Sequence, residues 1–404
     1  MEESVFFKPL VIVPHVQHYH WGLPADLSLV GKLTQTKGDI PCAELWIGAH
    51  PDLPADIVVD GVTYDLKSLI DEHPLEMLGH DVIEHYGRGL PFLFKILSVG
   101  KPLSIQAHPD KKLAERLYRD KGYPDENHKP EMGIALRESE ILCGFRHLSD
   151  IAVDFARLPE LKGCIGEELF NKLVKRDELS EKLILKELCS KLLMLPEDIL
   201  RKQSALLRKR LEDHDKLCRR DAWALKLLSE DFIDGDAGIF ILYTMNLMLL
   251  SAGDAIFVPP NTAHAYLSGE FAECMANSDN VVRGGLTPKS KDIETLLTML
   301  DYTAGCPTIT KASSVSSNFI EYLSPLQNSE FKVQLIQDGA EVIISDDGPA
   351  VILSIDAVGR IEFGSEDVAF QSGNSFFIPA SGLDYTVVCD SGRCFLITVP
   401  LHDE

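Results

Sequence analysis

The sequence predicts a mainly β protein, two small jelly-roll barrels interrupted by an α-helical domain, and three features of its 404 residues carry that expectation. Short apolar runs broken by Gly, Pro and Asp fill both ends, a leucine-rich helical texture occupies the middle, and one strand–turn–strand unit occurs twice. The expected organisation is the first part of a site-bearing barrel in 1–148, a helical domain in 149–230, the remainder of that barrel in 231–310, and a second barrel in 311–404.

From Phe6 to about Phe145, runs such as "LVIVPHV", "ADIVV" and "LPFLFKILSV" alternate with turn residues and read as strands. "DKKLAERLYRDKG" is the exception: Leu113 and Leu117 stack at i, i+4, and Gly122 ends the helix. Between about Ser149 and Ser229 the period lengthens. Leu179 and Leu183, then Leu188 and Leu192, share helical faces, and Pro196 opens a segment with Ile199, Leu200, Leu206, Leu207 and Leu211 on one stripe. After "GDAGIF" the strands return, interrupted only by a short amphipathic helix in "PKSKDIETLLTML".

The repeated unit is "GDAIFVPPNTAHAYL" (Gly253 to Leu267) and "GNSFFIPASGLDYTV" (Gly373 to Val387). Each has a turn glycine, an aromatic residue four positions on and a proline six positions on. Glycine turn, short strand, proline turn and second strand are how a small jelly roll is assembled, so two copies suggest two barrels. Eleven residues past the glycine the first copy has His264 and the second Asp384. One barrel therefore offers a metal ligand where the other has lost it.

Composition limits the function. With 45% hydrophobic and 25% charged residues, the chain is large enough for two or three domains with proper cores. Nine cysteines, without a CxxC pair, fit a reducing compartment, and the acidic start "MEESVFFKPL" does not resemble a signal peptide. The longest apolar run, Ile239 to Leu250, is too short to span a bilayer, so a cytoplasmic protein is expected. A net charge of −23 repels nucleic acid and anionic membranes alike. A phosphorylated metabolite would need a local island of Lys and Arg.

Candidate ligands gather around "SIQAHPD". On a strand, Gln106 and His108 project from one side while Ile105 and Ala107 project from the other. Glu131 stands at the head of the next strand in "DENHKPEMGIAL", and His264 comes from the first repeat. Two imidazoles, a carboxylate and an amide suit zinc with an open coordination position, although by spacing alone His128 or Glu126 could replace Glu131. The string His15, His18, His20 invites a second metal, but Tyr19 and Trp21 beside it favour ordinary packing. Cys143 and Cys274 read as small buried apolar residues.

"LPFLFKILSVGKPLSIQAHPDKKLAERLY", "NHKPEM", "PNTAHAYLSGEFAECMANSDNVVRGGLTPK", "HYHWG" and "AELWIGAHP" resemble the type I mannose-6-phosphate isomerases, zinc enzymes of the cupin superfamily. The resemblance covers nearly the whole chain and is weakest in the helical insert and the carboxyl-terminal third. It implies two cupin barrels and one zinc ion per chain, held by Gln106, His108, Glu131 and His264. It also implies interconversion of mannose 6-phosphate and fructose 6-phosphate through a cis-enediolate, with mannose 6-phosphate supplied to GDP-mannose synthesis and protein glycosylation. A monomer is expected.

That chemistry needs an electrophile and a base working near neutral pH. Lys129, on the face of Glu131, is the first choice of base, with Glu273 and Asp279 as carboxylate rivals and Arg283 within reach of the developing charge. Trp21, Glu44, Lys95, Ser104 and Lys289 complete the implied pocket. Ser104, Arg283 and Lys289, with Lys101 and Lys291 nearby, form the cationic island that phosphate requires. Without the resemblance, Glu44 and Trp46 would read as an ordinary half-buried strand, and Glu273, Asp279 and Arg283 as a surface ion-pair cluster. Two departures from the family touch loops only: "FIDGDAGIF" lacks the usual proline ahead of "GD", and His20 fills a variable position. An iron oxygenase of the same superfamily would want two histidines and a carboxylate without the amide, and a sugar-binding relative could dispense with the cations.

Overall fold

The computed structural model describes residues 3–400 apart from 60, 176–180, 231–233, 311, 327–328, 346–347 and 381–383. Leu179, together with Phe232 and Ile233 of "FIDGDAGIF", therefore lies outside the described residues.

Strand Phe92–Val99 shows how the layers arise. Its eight residues are all buried, so it reads as a continuous apolar run rather than an alternating one. Phe92, Phe94 and Ile96 turn one way, with Met132 and Ile134, onto Phe377 and Phe395 of a neighbouring sheet. Lys95, Leu97 and Val99 must then turn the other way. That second face lines the interior described below.

Among the described residues, the three larger antiparallel sheets are stacked in this manner. A four-stranded sheet built from Ala340–Ile344, Tyr385–Ser391, Val358–Phe363 and Glu366–Phe370 shares one core with a nine-stranded sheet. The other face of the nine-stranded sheet packs on an eleven-stranded one. On the far side of the latter, helices Leu148–Arg157, Pro159–Lys175, Glu181–Leu193, Glu197–Glu212 and Arg219–Leu227 cover Ile105, Ala107, Leu142 and Ala265. The protein is mainly β, as expected, and among the described residues no helix is long and apolar enough to cross a membrane.

Local expectations are met where chemistry dictates them. Helix Lys111–Lys121 starts on Asp110, whose carboxylate accepts from Leu113 N–H, and ends on left-handed Gly122 (φ 69°). Helix Ile293–Met299 starts likewise on Asp292. In Glu197–Glu212, Leu200, Leu207 and Leu211 are buried, but Leu206 is exposed, as is Leu183 in the preceding helix. Successive helical residues point about 100° apart, so Leu206 cannot share the face that Leu207 fills. In both copies two strands follow a glycine, Ala255–Val258 and His264–Ala276 after φ 90°, and Ser375–Ile378 and Tyr385–Ser391 after φ 86°.

The amino-terminal segment departs from its expected place. Leu10–Val13 pairs with Ser375–Ile378 on one side and Asp56–Val59 on the other, and Val62–Asp65 follows, so these strands extend the nine-stranded, carboxyl-terminal sheet. Leu10 and Ile12 are buried in the core between the two large sheets. That this apolar run forms a strand was legible, but which face is buried was not, and its partner lies more than 360 residues away.

Strand His264–Ala276 belongs to two arms of the eleven-stranded sheet. Its first residues pair with Ile105–Ala107 and Ser139–Phe145, and its later ones with Phe92–Val99 and Glu131–Ala135. The bend between the two stretches falls at Gly269 (φ 115°), where a Cβ would come within 2.0 Å of Ser139 Oγ. Only glycine fits there.

Candidate functional site

Strand register sets two rows of side chains facing one another across the interior. In one arm Gly133, Glu273, Lys95 and Trp46 are lateral neighbours; in the other, Cys143, His264, Gln106 and Arg283 are. The opposite faces of both arms are committed to apolar cores, so the polar members can only turn inward.

Where the rows meet, His108, Glu131 and His264 bring ligand atoms within 4.8 Å of one another, all buried. His108 Nδ1 lies 2.6 Å from the Asn280 carbonyl and His264 Nδ1 lies 2.9 Å from that of Thr262, so both Nδ1 atoms must carry the hydrogen. Each Nε2 lone pair then faces Glu131, at 3.1 Å for His108 and 3.3 Å for His264. His108 Nε2, Glu131 Oε2 and His264 Nε2 are buried without a hydrogen bond. Burial holds His108 down at about 4, so it is neutral at ordinary pH. Two lone pairs and a carboxylate converging in a dry interior call for a cation, and this donor set fits zinc. Gln106 sits beside the cluster as the lateral partner of His264, its Oε1 accepting from Ser104 Oγ at 3.0 Å.

Above the cluster opens a cavity of about 440 Å³. Trp21, Glu44, Lys95, Ser104, Gln106 and Lys129 contribute to its wall, as do Asp279, Arg283 and Lys289. Glu44 accepts from Trp46 Nε1 at 2.5 Å and pairs with Lys95 Nζ at 3.3 Å, while that ammonium rests 4.5 Å above the Trp46 ring. Burial alone would lower the Lys95 pKa, but Glu44, Glu273 and Glu131 outweigh it and raise the net value, so the lysine stays charged. Lys129 Nζ stands 3.6 Å from Glu131 Oε1. Asp279 Oδ2 lies 3.0 Å from His50 Nε2, whose ring is fixed by Asp52 N–H donating to Nδ1. Burial works against ionisation of Asp279, yet His50, Lys129 and Lys95 prevail and hold its pKa below the usual range.

Glu273 is the candidate that the structure moves. It does not line the cavity but lies buried beside Lys95 in the sheet, where burial first and the Glu131 charge second raise it to about 7. Gly133 leaves room for Tyr266 there: a Cβ at that glycine would meet the Tyr266 hydroxyl at 2.7 Å. Lys101 and Lys291 also fall outside the wall, because Glu230 takes the first (3.1 Å) and buried Asp236 the second (2.8 Å). Arg283 and Lys289 remain. Among the described residues neither has a carboxylate partner; Lys289 Nζ lies 5.5 Å from the Tyr19 ring, and burial lowers the Arg283 pKa. In a chain of net charge −23, two cations left unpaired at one end of a cavity are a counter-ion for something absent from the protein itself.

His15, His18 and His20 do not converge: His15 approaches Asp56 and His18 the Pro41 carbonyl. Cys143 and Cys274 are buried, and burial pushes Cys143 up to about 12. Sequence reasoning missed Asp125, Asn280, His50 and Asp236. Asp236 accepts from the N–H groups of Gly238 (2.6 Å) and Leu286 (2.8 Å), pinning Leu286 in left-handed backbone (φ 55°) just ahead of Lys289. An acidic residue between glycines, "GDAG", was the available signal.

Stacked antiparallel sheets, a buried histidine–carboxylate cluster and a cation-walled cavity above it define a β-sheet protein whose site suits a divalent metal and a small anion. Comparison with known proteins agrees. Residues 10–148 match the family model of the phosphomannose isomerase type I catalytic domain. The chain is 36% identical over 384 residues to Mannose-6-phosphate isomerase 1 of Arabidopsis thaliana (90% of this chain, 88% of that protein). It is 36% identical over 394 residues to Mannose-6-phosphate isomerase of Rattus norvegicus (89% and 92%). A crystal structure of mannose 6-phosphate isomerase from Salmonella typhimurium, bound to its substrate fructose 6-phosphate and to zinc, aligns with a TM-score of 0.84 at 28% identity, covering 97% of this chain and 100% of that one. The chain belongs to the type I phosphomannose isomerase family.

Proposed function

We propose that the protein is a zinc-dependent aldose–ketose isomerase that interconverts mannose 6-phosphate and fructose 6-phosphate, with one zinc ion per chain held by Gln106, His108, Glu131 and His264. The observation that carries this reading is a buried, cation-requiring cluster joined through Gln106 and Lys129 to a neighbouring cavity that holds two uncompensated cations, Arg283 and Lys289. Bound there, zinc supplies Lewis acidity to the oxygens of the sugar.

The chain's own groups do the rest. Lys289, Ser104 and Arg283 take the phosphate, and binding energy at that unreactive end holds C1 and C2 in register with the catalytic groups. Trp21 walls the sugar, while the Glu44–Lys95 pair, stiffened by Trp46, presents fixed charges to its hydroxyls. Lys129 removes the C2 proton and returns it at C1 through a cis-enediolate, and the planar fork of Arg283 stabilises the charge that develops between. Asp279 is the alternative base; Glu273, away from the cavity wall, tunes the field around Lys95.

In this reading the layers form two cupin barrels with a helical insert, only the first barrel retaining ligands. The protein acts as a cytoplasmic monomer supplying mannose 6-phosphate to GDP-mannose synthesis and glycosylation. The test is incorporation of solvent deuterium at C2 of mannose 6-phosphate. Lys129→Met should abolish both exchange and isomerisation while retaining zinc. Exchange that survives in Lys129→Met but disappears in Asp279→Asn transfers the base to the carboxylate, and no exchange in the native zinc protein removes the isomerase reading.

A further inference from the structure

We propose that Asp125 is the positioning residue of the metal cluster, an inference that rests on zinc binding at His108, Glu131 and His264. Asp125 touches none of these ligands. Its carboxylate instead gathers two loops: Oδ1 accepts from Asn127 N–H (2.8 Å), Ser278 Oγ (2.8 Å) and Asn280 Nδ2 (3.0 Å), and Oδ2 accepts from Asp279 N–H (2.8 Å). The Asn280 amide, fully buried, also donates to the carbonyls of Asp125 and Asn127, each at 2.8 Å. The carboxylate therefore holds Asn280 directly through one bond and indirectly through Ser278, Asp279 and Asn127, which it also binds.

What Asn280 does with that rigidity is specific. Its backbone carbonyl is the acceptor for His108 Nδ1, and that bond determines which imidazole nitrogen keeps a lone pair and where it points. His264 supplies an internal contrast, because its Nδ1 partner is the Thr262 carbonyl of its own turn, outside the Asp125 network. Loss of Asp125 should thus misdirect one imidazole and spare the other. The same clamp ends at Asn127, two residues before Lys129, and includes the backbone of Asp279, so both candidate bases are registered to the metal by one carboxylate.

The experiment measures zinc affinity by chelator competition in the native chain, Asp125→Asn and Asp125→Ala. Asp125→Ala should bind zinc about 10- to 100-fold more weakly, the usual cost of losing an outer-sphere partner. Asp125→Asn, which keeps the Oδ1 acceptor but replaces Oδ2 by an NH2 group that faces the Asp279 N–H donor and pushes the Asp279–Asn280 backbone away, should fall between. The visible spectrum of the cobalt(II)-substituted Asn variant should differ from the native one, since a turned imidazole alters the ligand field. Should Asp125→Ala fail to fold, Asp125→Asn decides. Native zinc affinity and an unchanged cobalt spectrum in Asp125→Asn, with only thermal stability reduced, would make Asp125 a loop fastener and overturn the inference alone. Stoichiometric zinc retained in His264→Ala would overturn the metal reading and the inference together.

Discussion

Replacing Glu273 by Gln should stabilise the metal-free protein at neutral and alkaline pH while leaving it little changed in acid. Glu273 is 5% exposed and lies near Glu131, and these two causes lift its carboxyl from 4.5 to about 7 against the opposing pull of Lys95 and Lys129. A folded-state value above the unfolded one means that the native protein binds the proton more tightly. The resulting stability is therefore fully present below about pH 4.5 and is lost as pH rises to about 7. A rise from 4.5 to about 7, at about 1.4 kcal/mol per pH unit, amounts to about 3 kcal/mol, most of it lost between pH 5 and 8. Gln cannot ionise, so its variant escapes that loss. Urea unfolding with a chelator present, for native and variant proteins at several pH values, reads the difference directly. The native curve should fall away from that of the variant by roughly 2–3 kcal/mol over this interval. Zinc should narrow the gap, because a cation on Glu131 cancels the second cause of the shift. Parallel pH curves for the two metal-free proteins would refute the reasoning.

Two further outcomes test the division of labour. Chelation should abolish activity and zinc restore it, and His264→Ala should lose metal where Asp384→Ala, at the exposed matching position of the second repeat, loses none; equal loss in both would break the one-site picture. Lys289→Ala should chiefly raise KM for the phosphorylated sugar, by a factor that shrinks as salt screens the charge, whereas Arg283→Ala should lower kcat as well. If mannose without its phosphate is slowed no more by Arg283→Ala than by Lys289→Ala, the arginine is only a phosphate clamp.

Strand alternation and helix stops were legible because they depend on neighbours in sequence: Gln106 against Ile105 and Ala107, and Gly122 closing the helix that follows. The members of the histidine–carboxylate cluster were legible because few residue types bind metals and the blocks around them are distinctive. What stayed hidden depends on partners far along the chain. Nothing near Leu10 announces Phe377, and nothing near Lys291 announces that Asp236, 55 residues earlier, will take its ammonium. Asp125 was passed over for a similar reason: its neighbours Glu126 and His128 carry more obvious metal chemistry, and its own role exists only once loop 277–280 has closed onto it.

The corner at Gly269 makes the length of one strand unforgiving. His264 and Glu273 are nine positions apart, an odd number, and on an unbroken strand would project from opposite faces. They share an interior because the chain changes step between Tyr266 and Phe271, where pairing with Ser139–Phe145 shifts register. Inserting or deleting one residue on the Phe271 side of the corner would turn the later half over, presenting Ala272 and Cys274 to the ion pairs and driving Glu273 into the apolar seam against the nine-stranded sheet. Exposed stretches elsewhere, such as the turn at Gly364, can absorb a change in length. Across 264–276 the reading frame of the strand is itself part of the candidate site.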